Sequence, residues 1–288
     1  MLAYQPEGEE SPPAPPNWWL DLLGRARTGR LQDHPTGGIV VVGRPSSARR
    51  VLSEPDLFAD DDDLTSGGDT AVSLEDHSAS VRRAAAKLAE RCLPPALHVA
   101  VELAATWHDA GKLDERFQLL LDQGDEVAAA VASVPLAKSA YIPRSPRHRR
   151  AIREAAGLPQ NFRHEMLSVQ LVEQFAELPK EEHLADMVLH LVASHHGHAR
   201  PLAPVAPDPS PPGVTGTLDG RRIPLDATAR TEAVPAYRLD SGLVDRFWRL
   251  VRRYGWWGLA YLEAILRLAD WYATTITRSR GEAEGSAR

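Results

Sequence analysis

The residues of this 288-residue sequence best placed to do chemistry are histidines and aspartates that fall on apolar helical stripes. A helix repeats one face at i, i+4, i+7 and i+11, so a polar residue in phase with an apolar stripe is aimed inward. His77 is in phase with Val81, Ala84 and Leu88, His108 with Leu97, Val101 and Ala104, and His164 with Leu171 and Phe175. His195 follows Leu184, Val188 and Leu191 at the same offsets, and Asp270 follows Leu259 and Leu266. A lone inward histidine is ordinarily satisfied by a backbone carbonyl, and a lone inward aspartate by an arginine such as Arg267. Neither explains inward polar residues on five separate segments. A shared cation does, because imidazoles and carboxylates converging from several helices are how an all-α fold holds a metal.

The elements that must position these residues can be read from punctuation and periodicity. Ser73 is the expected N-cap of a helix running to about Cys92, where Pro94 and Pro95 end it. Further helical periodicity covers about 96–110, 164–178, 180–196, 241–254 and 256–278. Eight prolines between Pro201 and Pro235 exclude a core helix there, although Val214–Leu225 around Asp219-Gly220 has the pattern of a small hairpin. Ile39 to Val42, between glycines, predicts one strand, and the run Asp60 to Asp63 predicts a solvated loop. Residues 1–16 are Pro- and Glu-rich, the composition of a segment that does not pack. The apolar segment Trp18 to Leu23 either packs on its own domain or docks on a partner. The expected organisation is an N-terminal extension at 1–72, an all-α helical bundle at 73–279 interrupted by a Pro-rich insertion at about 199–236, and a tail at 280–288.

Composition narrows the classes available. Apolar residues make up 43% of the chain, enough for a core. The net charge of -6 is concentrated early: residues 1–76 hold 6 Lys/Arg against 14 Asp/Glu, leaving 27 against 25 elsewhere. Global charge therefore does not announce a nucleic-acid partner, and a local basic patch would have to serve. The single cysteine, Cys92, excludes an internal disulfide and a thiolate zinc site, leaving His and carboxylate as metal ligands. No basic stretch precedes an apolar run and no 18 apolar residues occur in succession, so a cytoplasmic protein without a membrane partner is expected.

Spelling adds to spacing. His108-Asp109-Ala110-Gly111-Lys112, followed by Phe117-Gln118, resembles the signature of HD-superfamily phosphohydrolases. The segments Arg163 to Val172 (RHEMLSVQLV), Ala193 to Pro201 (ASHHGHARP) and Leu266 to Thr274 (LRLADWYAT) are similar to the HD nuclease domain of the CRISPR-associated helicase-nuclease of type I systems. An HD pair alone is weak, but HDxGK, RHExxS, HHG and ADW in this order are together specific. The order of segments and the preceding Leu136-Ala137-Lys138-Ser139 resemble the subtype whose nuclease domain follows the helicase, with Trp19 to Pro45 resembling the joining region. One departure is that no GxxxxGK[ST] loop occurs, so a helicase subunit or domain must be supplied either in trans or by a longer natural protein.

The resemblance implies specific roles. His77, His108, Asp109 and Asp270 would hold one divalent ion and Asp109, His164, His195 and His196 a second, with Asp109 as the bridge. If 108 and 109 are adjacent helical residues, their splay of about 100° lets both address one pocket. Two ions about 3.5 to 4 Å apart activate water and neutralise a leaving oxygen, and imidazole-rich shells favour Mn, Fe, Co or Ni over Mg. Lys112 would contact the phosphate; a lysine at a helix end is otherwise a solvated one. Arg144, Arg147, Arg149, Arg150 and Arg153 form a run that would contact DNA phosphates without reading sequence, the alternative being a solvated linker helix with no interleaved aromatic. The implied activity is cleavage of single-stranded DNA supplied by an RNA-guided CRISPR effector complex and its helicase. The rivals are a nucleoside-triphosphate phosphohydrolase and a non-catalytic, metal-stabilised docking module; His195-His196-Gly197-His198-Ala199 departs from the pattern of cyclic-dinucleotide enzymes.

Overall fold

The computed structural model describes residues 71–141 and 145–285, together with residues 3–4, 29–33 and 39–43. The chain divides into two compact units, Met1–Asp56 and Leu57–Arg288. In the first, β1 (Ala3–Tyr4), β2 (Gly29–Asp33) and β3 (Ile39–Gly43) form an antiparallel sheet in the order β1-β3-β2. The expected strand at Ile39 is thus the central one of three. Its neighbours escape notice because Gly-Arg-Leu-Gln-Asp carries no β-branched residue. The segment Trp18 to Leu23, the run Asp60 to Asp63 and Arg144 lie outside the described residues.

The second unit is the expected all-α bundle. A two-stranded ribbon of β4 (Val72–Ser73) and β5 (Leu136–Lys138) leads into α1 (Leu74–Cys92), capped as expected by Ser73, whose hydroxyl accepts from the Asp76 N–H. A 3-10 turn, Pro95–Leu97, precedes α2 (His98–Trp107), and another, Ala110–Leu113, leads into α3 (Glu115–Leu121) and α4 (Glu126–Val131). After β5 come α5 (Pro146–Ala155), α6 (His164–Phe175) and α7 (Glu182–Ser194). The Pro-rich insertion holds the expected hairpin, β6 (Val214–Leu218) with β7 (Arg221–Leu225), and α8 (Ala227–Glu232). The long α9 (Leu243–Gly285) is broken at Gly255, whose φ of 72° only glycine takes up without strain. The turn of the hairpin is Asp219-Gly220, both left-handed, as a tight hairpin turn demands.

The core lies between α1, α2, α7 and α9, with Val81, Ala85, Val101, Ala104, Val188, Leu191 and Leu266 fully buried. The insertion contributes to it: Val214, Leu218 and Ile223 are also fully buried, and a Cβ at Gly216 would stand 2.7 Å from Leu113 Cδ2.

Asp114 ties the insertion to the bundle. Its buried carboxylate receives Arg116 Nη2 at 2.9 Å and Arg230 Nη2 at 2.7 Å, while Arg116 also reaches Asp208 Oδ2 at 2.7 Å. Burial pushes the Asp114 pKa up, but the two guanidiniums more than offset it and the net shift is downward. A depressed folded pKa means the stabilisation is complete at neutral pH and fades only as pH falls below about 4. Asp114→Ala leaves Arg230 buried without its carboxylate, and is expected to cost about 3–5 kcal/mol in urea denaturation at pH 7. A loss below about 1 kcal/mol would show that the network does not hold the insertion down.

Candidate metal centre

Four of the expected site residues lie just beyond helices. α2 ends at Trp107 and α7 at Ser194, so His108, Asp109, His195 and His196 occupy the following turns, where helical spacing had placed them inside longer helices. His108 and His195 still face inward in phase with their helices because the first residue past each end keeps helical backbone: φ, ψ of -53°, -39° at His108 and -61°, -23° at His195. Asp109 departs from it at φ -98°, ψ 6°, so the turn, and no helical splay, brings its carboxylate beside His108. His77 sits in the first turn of α1, His164 opens α6, and Asp270 lies within α9.

All seven converge. Asp109 is central: its Oδ2 lies 3.4 Å from His77 Nε2 and 3.4 Å from His108 Nε2, and its Oδ1 lies 3.1 Å from His164 Nε2 and 3.6 Å from His195 Nε2. Asp270 Oδ1 is 3.1 Å from His77 Nε2, and the rings of His195 and His196 are 4.1 Å apart. Among the described residues, two groups have ligand atoms close enough to hold an ion: His77, His108 and Asp109, and Asp109, His164, His195 and His196. Asp270 joins the first through His77.

The donor set fits divalent cations. The Nδ1 atoms of His108 and His195 donate to the carbonyls of Ala105 and Val192, both at 2.8 Å, which leaves each Nε2 lone pair facing the centre. His77 Nε2, His108 Nε2 and Asp270 Oδ1 are buried and make no well-aligned hydrogen bond. Burial opposes ionisation of both aspartates, yet His108 and Lys112 beside Asp109, and His77 beside Asp270, hold each well below the usual carboxylate range. Burial lowers the His77 pKa despite Asp270, whereas at His108 the Asp109 carboxylate outweighs burial and raises it. Two ionised carboxylates among buried imidazoles form the hard-and-borderline donor mixture that transition metals accept.

Lys112 is neither a solvated lysine nor open to a substrate. It is 1% exposed, and its Nζ lies 3.1 Å from Asp109 Oδ2 and donates to the Ala137 carbonyl at 3.1 Å. Its contacts here are with Asp109 and β5, where a phosphate contact was expected. Gln118 explains the accompanying spelling, donating to the carbonyls of Lys112 and Leu136 and accepting from the Leu136 N–H, so that β5 is fastened to the turn.

Of the arginine run, Arg147 and Arg150 are exposed and Arg149 is half-buried. Arg153 turns inward, donating to the Pro159 carbonyl at 3.0 Å in the loop before His164; burial and neighbouring Arg163 lower its pKa to about 10. The sequence reading missed Glu165, which is buried with an oxygen 3.7 Å from His164 Nδ1. Burial pushes its pKa up, but His164, His196, His195 and Arg163 bring it down to about 2. Its signal was present in the spacing, since Glu165 is in phase with Val169 and Val172, but of Arg163-His164-Glu165 only the histidine was read from its stripe. Ser168 was likewise missed; its hydroxyl accepts from Gly111 N–H at 2.8 Å. His190, outside the centre as expected, meets Glu263 at 2.7 Å.

A helical bundle closed around an HD turn, with Asp109 between two sets of imidazoles, defines an HD-domain protein with the centre of a metal-dependent hydrolase. The family described as Cas3, HD domain, matches residues 67–277. The chain belongs to that family, which makes it a CRISPR-associated HD nuclease domain. No curated protein and no solved structure matches it. Among the described residues no helix is long and apolar enough to cross a membrane.

Proposed function

We propose that this chain cleaves phosphodiester bonds of single-stranded DNA in type I antiviral interference, receiving the strand from a helicase and an RNA-guided effector complex. The observation that carries the reading is Asp109, whose two oxygens face two separate sets of imidazoles. His77, His108, Asp109 and Asp270 would hold one ion and Asp109, His164, His195 and His196 the other, with Mn, Fe, Co or Ni favoured over Mg. Such a pair supplies an activated water and neutralises charge developing on the leaving oxygen.

The chain's own residues supply the rest. Lys112 fixes the bridging carboxylate, the Ala105 and Val192 carbonyls fix two ring tautomers, and Glu165 balances the charge of the second imidazole set. Arg147, Arg149 and Arg150 would contact phosphates ahead of the centre.

Incubation of the Mn-loaded chain with single-stranded DNA, duplex DNA, RNA and a panel of nucleotides tests the proposal. Single strands should be cut and intact duplex largely spared, with or without ATP. Consumption of nucleoside triphosphates alone would replace the reading with a nucleotide phosphohydrolase, and turnover of no substrate with a docking module.

A further inference from the structure

The exposed face of α9 after Gly255 is unusual for its aromatic content. Trp257 is 89% exposed, Tyr261 49%, Leu268 50%, Trp271 55% and Tyr272 56%. With exposed Ala264 they recur at 257, 261, 264, 268 and 271/272, the spacing of one helical face. At about 1.5 Å per residue the stripe is about 21 Å long. It carries no exposed carboxylate: the acidic residues between 256 and 275 are Glu263, which is buried, and the site residue Asp270. Exposed Arg252 and Arg253 stand at its far end.

Its near end meets the mouth of the metal centre. His77, Asp109, His164 and His195 are buried, whereas Asp270 and His196 are half-buried, so the centre opens on their side. At about 100° per residue, Arg267 falls between the stripe and the face carrying Asp270. Its guanidinium stacks over Trp271 at 5.0 Å and lies 3.7 Å from where a Cβ on Gly197, next to His196, would stand. Lys138 Nζ reaches the same flank at Thr274 Oγ1. An aromatic face flanked by guanidiniums, free of exposed carboxylates and leading to the metal centre, has the chemistry of a single-strand stacking track.

We infer that this stripe is where bases of a single-stranded DNA stack on the way to the metal centre, from Trp257 past Tyr261 and Trp271 to Arg267. The inference rests on the proposed nuclease reading and adds the path. At the 3.4 Å spacing of stacked bases the stripe spans about six nucleotides. Strand register would then be set on α9, with the Arg147 region a separate phosphate contact.

The test measures binding of fluorescent oligothymidylates of 4 and 20 nucleotides by anisotropy, for the wild-type chain and for Trp257→Ala/Tyr261→Ala. Hydrolysis of bis(p-nitrophenyl) phosphate is followed in parallel, with sedimentation velocity of both proteins. A lost stack costs about five- to a hundredfold in affinity. The variant should therefore lose at least about tenfold on the 20-mer and little on the 4-mer, retain hydrolysis of the small ester, and bind an abasic 20-mer as wild type does. Equal affinity of the two proteins for the 20-mer overturns the inference. So does a change of oligomeric state without a change in DNA affinity, which would make the stripe a protein interface. Failure of the wild-type chain to bind or cut any single strand overturns the nuclease reading itself.

Discussion

Asp109→Ala is expected to abolish cleavage and to empty both ion positions. Each of its oxygens serves a different set of imidazoles, so no single remaining residue links the two sets. A metal pair contributes several kcal/mol of transition-state stabilisation, and at 1.36 kcal/mol per factor of ten the loss is at least about 10³-fold. The substitution also leaves Lys112 buried without its carboxylate, so stability should fall by about 3–5 kcal/mol, as at Asp114, while the helices, whose backbone bonds do not involve Asp109, keep their content. Single-turnover cleavage with circular dichroism checks this. His183→Ala, half-buried near the start of α7 and outside the centre, should match wild type. Retention of both ions by Asp109→Ala, or inactivity of a folded His183→Ala, would show the roles to be misassigned.

Gly111→Ala is expected to be about as damaging, for a steric reason. A Cβ at 111 would lie 2.0 Å from the His164 carbonyl oxygen and 2.9 Å from Ser168 N. These are backbone atoms, so no rotamer change relieves the overlap, and the HD turn must move off the start of α6. That costs about 3 kcal/mol, the upper range of overpacking, and separates His164 from Asp109. The variant should melt earlier and lose the ion held by His164, His195 and His196. Wild-type stability and metal content would mean that the turn and α6 are not in this contact.

How much of this could be read from the sequence depended on whether a signal was local. The helices, the Ser73 cap and the Asp219-Gly220 hairpin are set by near neighbours, and each is present. Five of the centre residues were legible from helical phase, which persists one residue past a helix end at His108 and His195 although the ends were placed too late, whereas Asp109 and His196 were legible only in the spelling of the HD and HHG segments. What escaped depends on distant partners. Lys112 is spelled like a surface lysine, and only the fold of β5 and Gln118 around it shows that it is buried. Glu165 is in phase with Val169 and Val172 but is spelled like an exposed acid in the first turn of a helix, and Arg153 turns inward to carbonyls of a loop. The aromatic face of α9 was hidden because alternating apolar and aromatic positions read equally well as core.

If His77, His108, Asp109, His164, His195, His196 and Asp270 form one two-ion centre, its two halves must be separable. The most direct test is elemental analysis of the chain after chelation, reloading with Mn and removal of free metal. The predicted result is about two ions per wild-type chain and about one in each of Asp270→Ala and His196→Ala, all three with unchanged helical content. A wild-type chain that binds no ion yet hydrolyses phosphodiesters, or variants that keep the full complement, would contradict it.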